Sequence, residues 1–341
     1  AIDADVSADS LNGPFRLKGD FSYSGEVFDL SASVGRLDRG AGAGSAIAVN
    51  APGLGDAKLA WDGSVAPEGP SARGTLTLSG TSLADLAAFA SKLGTELPAP
   101  ESDYEVVAEL SYGDDALTVE DATLRLGASR LQGAGRFAAT PGAVPELRLE
   151  LAATRIDLDE LLAGLPMPEE KAGTDGPEDD TVAGGMTRLD VPFLGEVNGR
   201  VDVTVDALVY QQDTLRNVVF AASLDQNQAL METLTATLPG GAEVALTGKL
   251  TRPAEGAAFD GGLEIRANDL RQTLAWLGQE VPDVADDRLR RLILVTDVSA
   301  RIAESGNRLD FNNFTADLDA SRLRGGIATR LGARPGIGVG L

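Results

Sequence analysis

Apolar residues fall at every second position along most of this chain, a period that sets them on one face of a β-strand while the intervening polar residues meet water. Phe15, Leu17, Gly19, Phe21 and Tyr23 alternate with Arg16, Lys18, Asp20 and Ser22; Phe28, Leu30, Ala32 and Val34 follow after Ser24-Gly25-Glu26, which reads as a hairpin turn. Tyr104, Val106, Ala108, Leu110 and Tyr112 form another run, closed by a Gly113-Asp114-Asp115 turn. Beyond it, Leu117 and Val119 are out of phase with Ala122, Leu124 and Leu126, so the spacing predicts a bulge near Glu120 and Asp121. The second half continues with Val201, Val203, Val205 and Ala207, then Val218, Phe220, Ala222 and Leu224, then Leu230, Leu234, Ala236 and Leu238. A Pro239-Gly240-Gly241 turn leads into Val244, Leu246, Gly248 and Leu250. With 40 glycines in 341 residues, well above the roughly 7% of average usage, the chain is predicted to be mostly β.

Three segments switch to helical spacing, at 82–93, 157–163 and 268–277, each a polar cap followed by a short apolar stripe. Gly94 and Gly278 end the first and third, ahead of Pro98 and Pro282. An internal repeat connects the halves at an offset of about 190 residues. Ala128-Ser129-Arg130-Leu131-Gln132-Gly133 matches Ala320-Ser321-Arg322-Leu323-Arg324-Gly325, Leu117 matches Leu309, and the change of phase recurs after Phe311. The expected organisation is a first β-groove unit at 1–165 with two short helices and a second, continuous with it, at 196–341 with one. Between them, 166–195 reads as a flexible acidic insertion, because Glu169-Glu170 and Asp175-Gly176-Pro177-Glu178-Asp179-Asp180 leave too little apolar area to order it.

Composition narrows the function. There are 29 lysines and arginines against 52 aspartates and glutamates, a formal charge of −23, and so acidic a surface repels nucleic-acid phosphates and anionic headgroups. No histidine and no cysteine are present, which removes the histidine-based triads, histidine metal sites, thiolate nucleophiles and disulfides. The acidic run at 175–180 lacks the ligand spacing of a calcium loop, and Gly40-Ala41-Gly42-Ala43-Gly44-Ser45, read as a mobile loop, has no Gly-Lys-Ser/Thr to cradle a phosphate. No carboxylate pair or Gly-x-Ser-x-Gly elbow stands out. The expectation is a protein that is not an enzyme and uses no cofactor or metal. No run approaches the roughly 20 apolar residues of a membrane span. The chain opens on Ala1-Ile2-Asp3 and closes on Leu341 in mid-pattern, so it reads as a segment of a longer polypeptide with any membrane anchor outside it.

What remains is the apolar strand face. Runs at 104–112, 116–126, 198–210, 229–238 and 291–302 exceed the usual five or six residues. Three short helices are too few to cover so wide a face, which is left to form a groove or meet a guest. A transmembrane barrel is disfavoured, since it lacks inserted helices and carries aromatic girdles that the 5% aromatic content cannot supply.

The strand-helix pair Gly74-Thr75-Leu76-Thr77-Leu78 through Leu83-Ala84-Asp85-Leu86, the stretch Ala152-Ala153-Thr154-Arg155-Ile156-Asp157-Leu158-Asp159-Glu160-Leu161-Leu162 and the two Ala-Ser-Arg-Leu-x-Gly strands resemble the AsmA family of bacterial envelope proteins, which includes TamB-like proteins. The segment from Gly199 to Leu341 is most similar to that family's C-terminal region. The resemblance implies a long, curved, taco-like antiparallel β-groove in the periplasm, anchored to the inner membrane by a segment not present here. It also implies a role in outer-membrane biogenesis and bridge-like phospholipid transport. The residues fit such a role. Roughly fifteen strands at about 4.8 Å would give a groove of about 70 Å. The lining is expected to include Val106, Ala108, Leu110, Leu131, Val203, Val205, Leu234, Leu246, Leu294 and Val298, with phospholipid acyl chains as partner. The alternatives are a scaffold that assists outer-membrane assembly proteins through an exposed strand edge and a calcium-stabilised adhesin.

Overall fold

In the computed structural model the described residues form nineteen β-strands and three short α-helices. The structure describes residues 2–36, 42–66, 71–92, 99–163, 197–225, 228–251, 256–279, 284–285, 287–302, 307–331 and 336–340. The expected class holds: mostly β and antiparallel, with a few short helices. Roughly fifteen strands were expected; the additional ones include alanine- and glycine-rich stretches such as Ala43–Ala51 (AGSAIAVNA), whose alternation is weak in side-chain size. Two compact units divide the chain, Ala1–Pro166 with Leu208–Gln211, and Met167–Ala207 with Gln212–Leu341. The insertion at 166–195 and the expected end of the first helix at Gly94 lie outside the described residues.

The first unit runs β1 (Ile2–Ala8), β2 (Phe15–Tyr23), β3 (Glu26–Val34), β4 (Ala43–Ala51), β5 (Ala57–Ala66), β6 (Ser71–Gly80), α1 (Leu83–Lys92), β7 (Tyr104–Gly113), β8 (Ala116–Leu126), β9 (Ser129–Ala138), β10 (Glu146–Asp157) and α2 (Leu158–Ala163). Each strand pairs antiparallel with the next. The hairpins are tight because their two loop residues accept left-handed backbone: Ser24 and Gly25 have φ of 50° and 89°, and Asp114 and Asp115 have 50° and 56°, as a type I′ turn demands. The bulge falls where the change of phase put it, with the register slipping between Val119 and Ala122.

The second unit contains most of β11 (Asn198–Tyr210), then β12 (Asp213–Asp225), β13 (Gln228–Thr237), β14 (Glu243–Thr251), β15 (Ala257–Ala267), α3 (Leu270–Trp276), β16 (Leu292–Ile302), β17 (Asn307–Leu318), β18 (Ser321–Leu331) and β19 (Gly336–Gly340). From β12 onward each strand again pairs with its successor. The repeat is therefore structural: β6-α1-β7-β8-β9 corresponds to β15-α3-β16-β17-β18, and β17 slips register between Phe311 and Phe314 as β8 does.

Each helix is seated by the same devices. Ser82 Oγ, Asp157 Oδ1 and Asp269 Oδ1 accept the backbone N–H three residues on, at 3.1, 3.1 and 3.3 Å, satisfying a donor that the first turn leaves open. α1 and α3 both rest on the hairpin two strands earlier: Thr81 N donates to the Gly55 carbonyl at 2.7 Å, and Thr273 Oγ1 to the Pro239 carbonyl at 3.1 Å. α1 then lays Phe89 against Phe28, ring centroids 5.4 Å apart, beside a small core of Ala51, Leu54 and Ala57. Ser82→Ala is expected to destabilise the first unit by about 1 kcal/mol, read as a lower urea midpoint at unchanged slope.

Two local expectations are corrected. Leu230 was grouped with Leu234 on the apolar face, but the register shifts between Met231 and Leu234, so Leu230 stands opposite Ser223 and Lys249 and is 47% exposed. An extra residue in a bulge flips every side chain beyond it. The glycine-rich loop expected at 40–45 is in part strand, since β4 begins at Ala43.

Candidate functional site: an uncharged apolar face

Register assembles the alternating residues into rows that cross many strands. Val106 stands opposite Leu78 on β6 and Leu124 on β8. The row continues through Leu59, Val49 and Leu30 on one side and Leu131 on the other. Ala108 begins a second row with Leu76, Trp61 and Ile47, and Leu110 a third with Gly74 and Val119. No ionisable side chain enters these rows. The reverse face carries Asp20, Asp29, Asn50 and Lys58 in register, then Glu105 opposite Arg125. The sheet of the first unit is thus greasy on one side and charged on the other, as its alternation requires.

The second unit repeats the arrangement. Leu234 stands between Phe220 and Leu246, and Leu246 faces Leu263. Leu294 lies between Ile265 and Ala316, and Val298 between Gly261 and Phe311, on the same face. Val203 and Val205 sit two positions apart on β11. Of the ten residues expected to line a groove, Ala108, Val205 and Val298 are buried and the other seven are half-buried.

Half-burial is the informative property. Two sheets packed face to face would bury their inner residues, yet β2 and β3 alternate between half-buried and exposed along their length. On the apolar face of the first unit, Tyr112, Leu117 and Phe137 form a cross-strand row that is 42%, 41% and 41% exposed. Helix α1 shields one end of the strands and leaves this other end open.

Glycines crease the sheet toward that face. Gly63 on β5 and Gly74 on β6 are directly opposed, and a Cβ built on Gly74 would lie 2.5 Å from the Gly63 Cα. A Cβ on Gly19 would lie 2.5 Å from the Ala4 Cα, and one on Gly133 would lie 2.6 Å from the Glu150 carbonyl oxygen. Backbones approach so closely only where adjacent strands fold toward each other, and only glycine permits it. All these positions belong to apolar rows, so that face is the inside of each crease. In the first unit the creases fall between β1 and β2, β5 and β6, and β9 and β10. Gly248 and Gly261 oppose each other in the second unit and crease it between β14 and β15.

Several charged groups pair on the outside. Arg73 pairs with Glu120 at 2.7 Å, and Arg301 with Asp260 at 3.0 Å. Glu232, the bulged residue of β13, accepts from the Ser223 hydroxyl and from Arg200, and these two contacts hold its carboxyl below the usual range. Among the described residues, no group of three or more acidic side chains could hold a metal ion, and no helix is long and apolar enough to cross a membrane. Sequence reasoning missed Leu59, Leu78 and Trp61 as members of the rows, because β5 and β6 alternate leucine and tryptophan with small alanine, glycine and threonine. The opposed glycines were invisible without the pairing register. No family model, curated protein or solved structure matches the chain.

Proposed function

We propose that this chain is a segment of a periplasmic conduit that shields phospholipid acyl chains as they cross between membranes in outer-membrane biogenesis. It would be anchored at the inner membrane by a segment outside the sequence given. The observation that carries the reading is the uncharged, creased and half-exposed apolar face, continuous in register over the strands of the first unit and present again in the second. Each methylene removed from water is worth about 0.8 kcal/mol, so an acyl chain needs a lining without gaps. A floor of Leu, Val, Ala and Gly offers nearly equivalent sites at successive strands, which favours sliding over trapping. The resemblance to AsmA-family residues points the same way.

The test is a photo-crosslinking residue placed in cells at Leu110 or Leu294, on the apolar face, and at Glu109, on the outer face. Phospholipid adducts are expected at the first two positions and not at the third. Equal labelling at Glu109 would reject the reading. Adducts to outer-membrane assembly proteins without lipid would favour a scaffold instead.

A further inference from the structure

The acidic character of the chain is not uniform. Residues 281–341 carry nine arginines against eight aspartates and glutamates, and several of these arginines gather on the outer face where β16, β17 and β18 meet the loop at 288–291. Arg291 precedes β16 and stands beside Asp319, whose backbone N–H donates to the Arg291 carbonyl at 2.9 Å. Asp317 lies opposite Arg322, and Thr315 opposite Arg324. A cavity of about 340 Å³ opens here, lined by Arg291, Ile293, Asp317, Asp319, Ser321 and Arg322.

The local carboxylates do not cancel these cations. The side chain of Asp319 turns into the loop and accepts the backbone N–H groups of Leu289, Arg290 and Arg291 at 2.7, 3.0 and 2.9 Å, a nest of amides already filled by an anion. That fixes the loop and the root of Arg291. Asp317 engages Arg322 through two bonds, Nε to Oδ1 at 2.5 Å and a terminal nitrogen to Oδ2 at 2.9 Å, holding the guanidinium in one orientation with its remaining N–H groups outward. Three arginines, Arg291, Arg322 and Arg324, act on the single Asp317 carboxylate. Among the described residues neither Arg291 nor Arg324 forms an ion pair.

The first repeat supplies an internal control. Its turn residue equivalent to Asp319 is Gly127, and Gln132 stands where Arg324 does. There Arg125 is engaged by Asp103 and Glu105 together. Arg130, the counterpart of Arg322, stands opposite Arg125 and Arg155, and Asp103 and Glu105 offset part of this cluster.

We propose that Arg291, Arg322 and Arg324, with the Ser321 hydroxyl, form a binding site for a phosphate monoester or diester on the outer face of the second unit. Guanidinium forks suit tetrahedral oxyanions, Arg322 is held in place by Asp317, and at physiological salt the Debye length of about 8 Å lets a local patch act despite the charge of the whole chain. The phosphate could belong to a lipid headgroup or to a soluble ester. The site does not depend on the apolar face, so it stands or falls separately from the conduit.

The experiment follows backbone amide shifts at 289–291 and 320–322 during titration with glycerol phosphate, against sodium chloride at matched ionic strength. Saturable shifts are expected at those amides. The double variant Arg291→Gln/Arg324→Gln, which breaks no ion pair among the described residues, should weaken binding about tenfold or more. Arg125→Gln should leave binding unchanged. Flotation with phosphatidylglycerol and phosphatidylcholine vesicles separates the sources: flotation lost in the double variant assigns a headgroup, and glycerol phosphate binding without flotation assigns a soluble ester. Shifts no larger than with sodium chloride, or an equal loss in Arg125→Gln, would overturn the proposal.

Discussion

Valine in place of Gly261 is expected to lower the melting temperature of the second unit by about 10 °C, while valine at the adjacent Gly262 leaves it within about 2 °C of the parent. The two residues are neighbours on β15 and face opposite sides. A Cβ on Gly261 would meet the ring of Phe259 at 2.8 Å and the Gly248 Cα at 2.9 Å. The backbone cannot yield as a flexible side chain would, so β14 and β15 must separate at the crease. Overpacking of this severity costs about 3 kcal/mol, and a unit of this size loses about 2–4 °C per kcal/mol. At Gly262 the nearest atom to an added Cβ is Thr247 Oγ1, at 3.8 Å, and a β-branched residue suits an outward strand position. Gly74→Val should act likewise on the first unit. Scanning calorimetry of the three variants decides the matter: if Gly261→Val melts with Gly262→Val, the crease does not depend on the missing side chain.

That contrast also marks where the sequence stops being readable. Period-two alternation was enough to give the strands from Tyr104 to Leu126 and the bulge between Val119 and Ala122, because a change of phase leaves no other way to keep Leu117 and Leu124 on one face. The Ala-Ser-Arg-Leu-x-Gly pair gave the repeat, and cap chemistry gave all three helices to within a residue or two. Creases were not readable, since Gly74 and Gly261 resemble any glycine in a strand until Gly63 and Gly248 are found opposite them. Leu230 was misplaced for a related reason: the bulge at Glu232 sits in a run that looks regular, and only pairing with β12 and β14 shows the extra residue. The arginine cluster was hidden by averaging, because a net charge of −23 says nothing about where the cations collect. In each case the missing information is a long-range pairing rather than a local preference.

An aspartate at Leu246 should block the proposed conduit while leaving the fold standing, and this is the strongest functional effect expected. Leu246 is half-buried between Leu234 and Leu263, so a carboxylate there stays partly hydrated in the empty chain and destabilises the unit by no more than about 2 kcal/mol. An acyl chain sliding across would have to strip that water without offering a counter-charge or a hydrogen bond. Desolvating an unpaired charge costs several kcal/mol, and about 4 kcal/mol corresponds to roughly a thousandfold in rate or occupancy. Thr247→Asp places the same charge one residue away on the outer face and should change nothing. With a photo-crosslinking residue at Leu294, in the same unit as Leu246, lipid adducts in Leu246→Asp should fall at least tenfold relative to Thr247→Asp. Undiminished adducts there would mean that lipid does not pass along β14, and the apolar face of the second unit would then be a set of separate binding patches rather than a path. The comparison works because the two substitutions share charge, strand and solvent access to the backbone, and differ only in which side of the sheet receives the carboxylate.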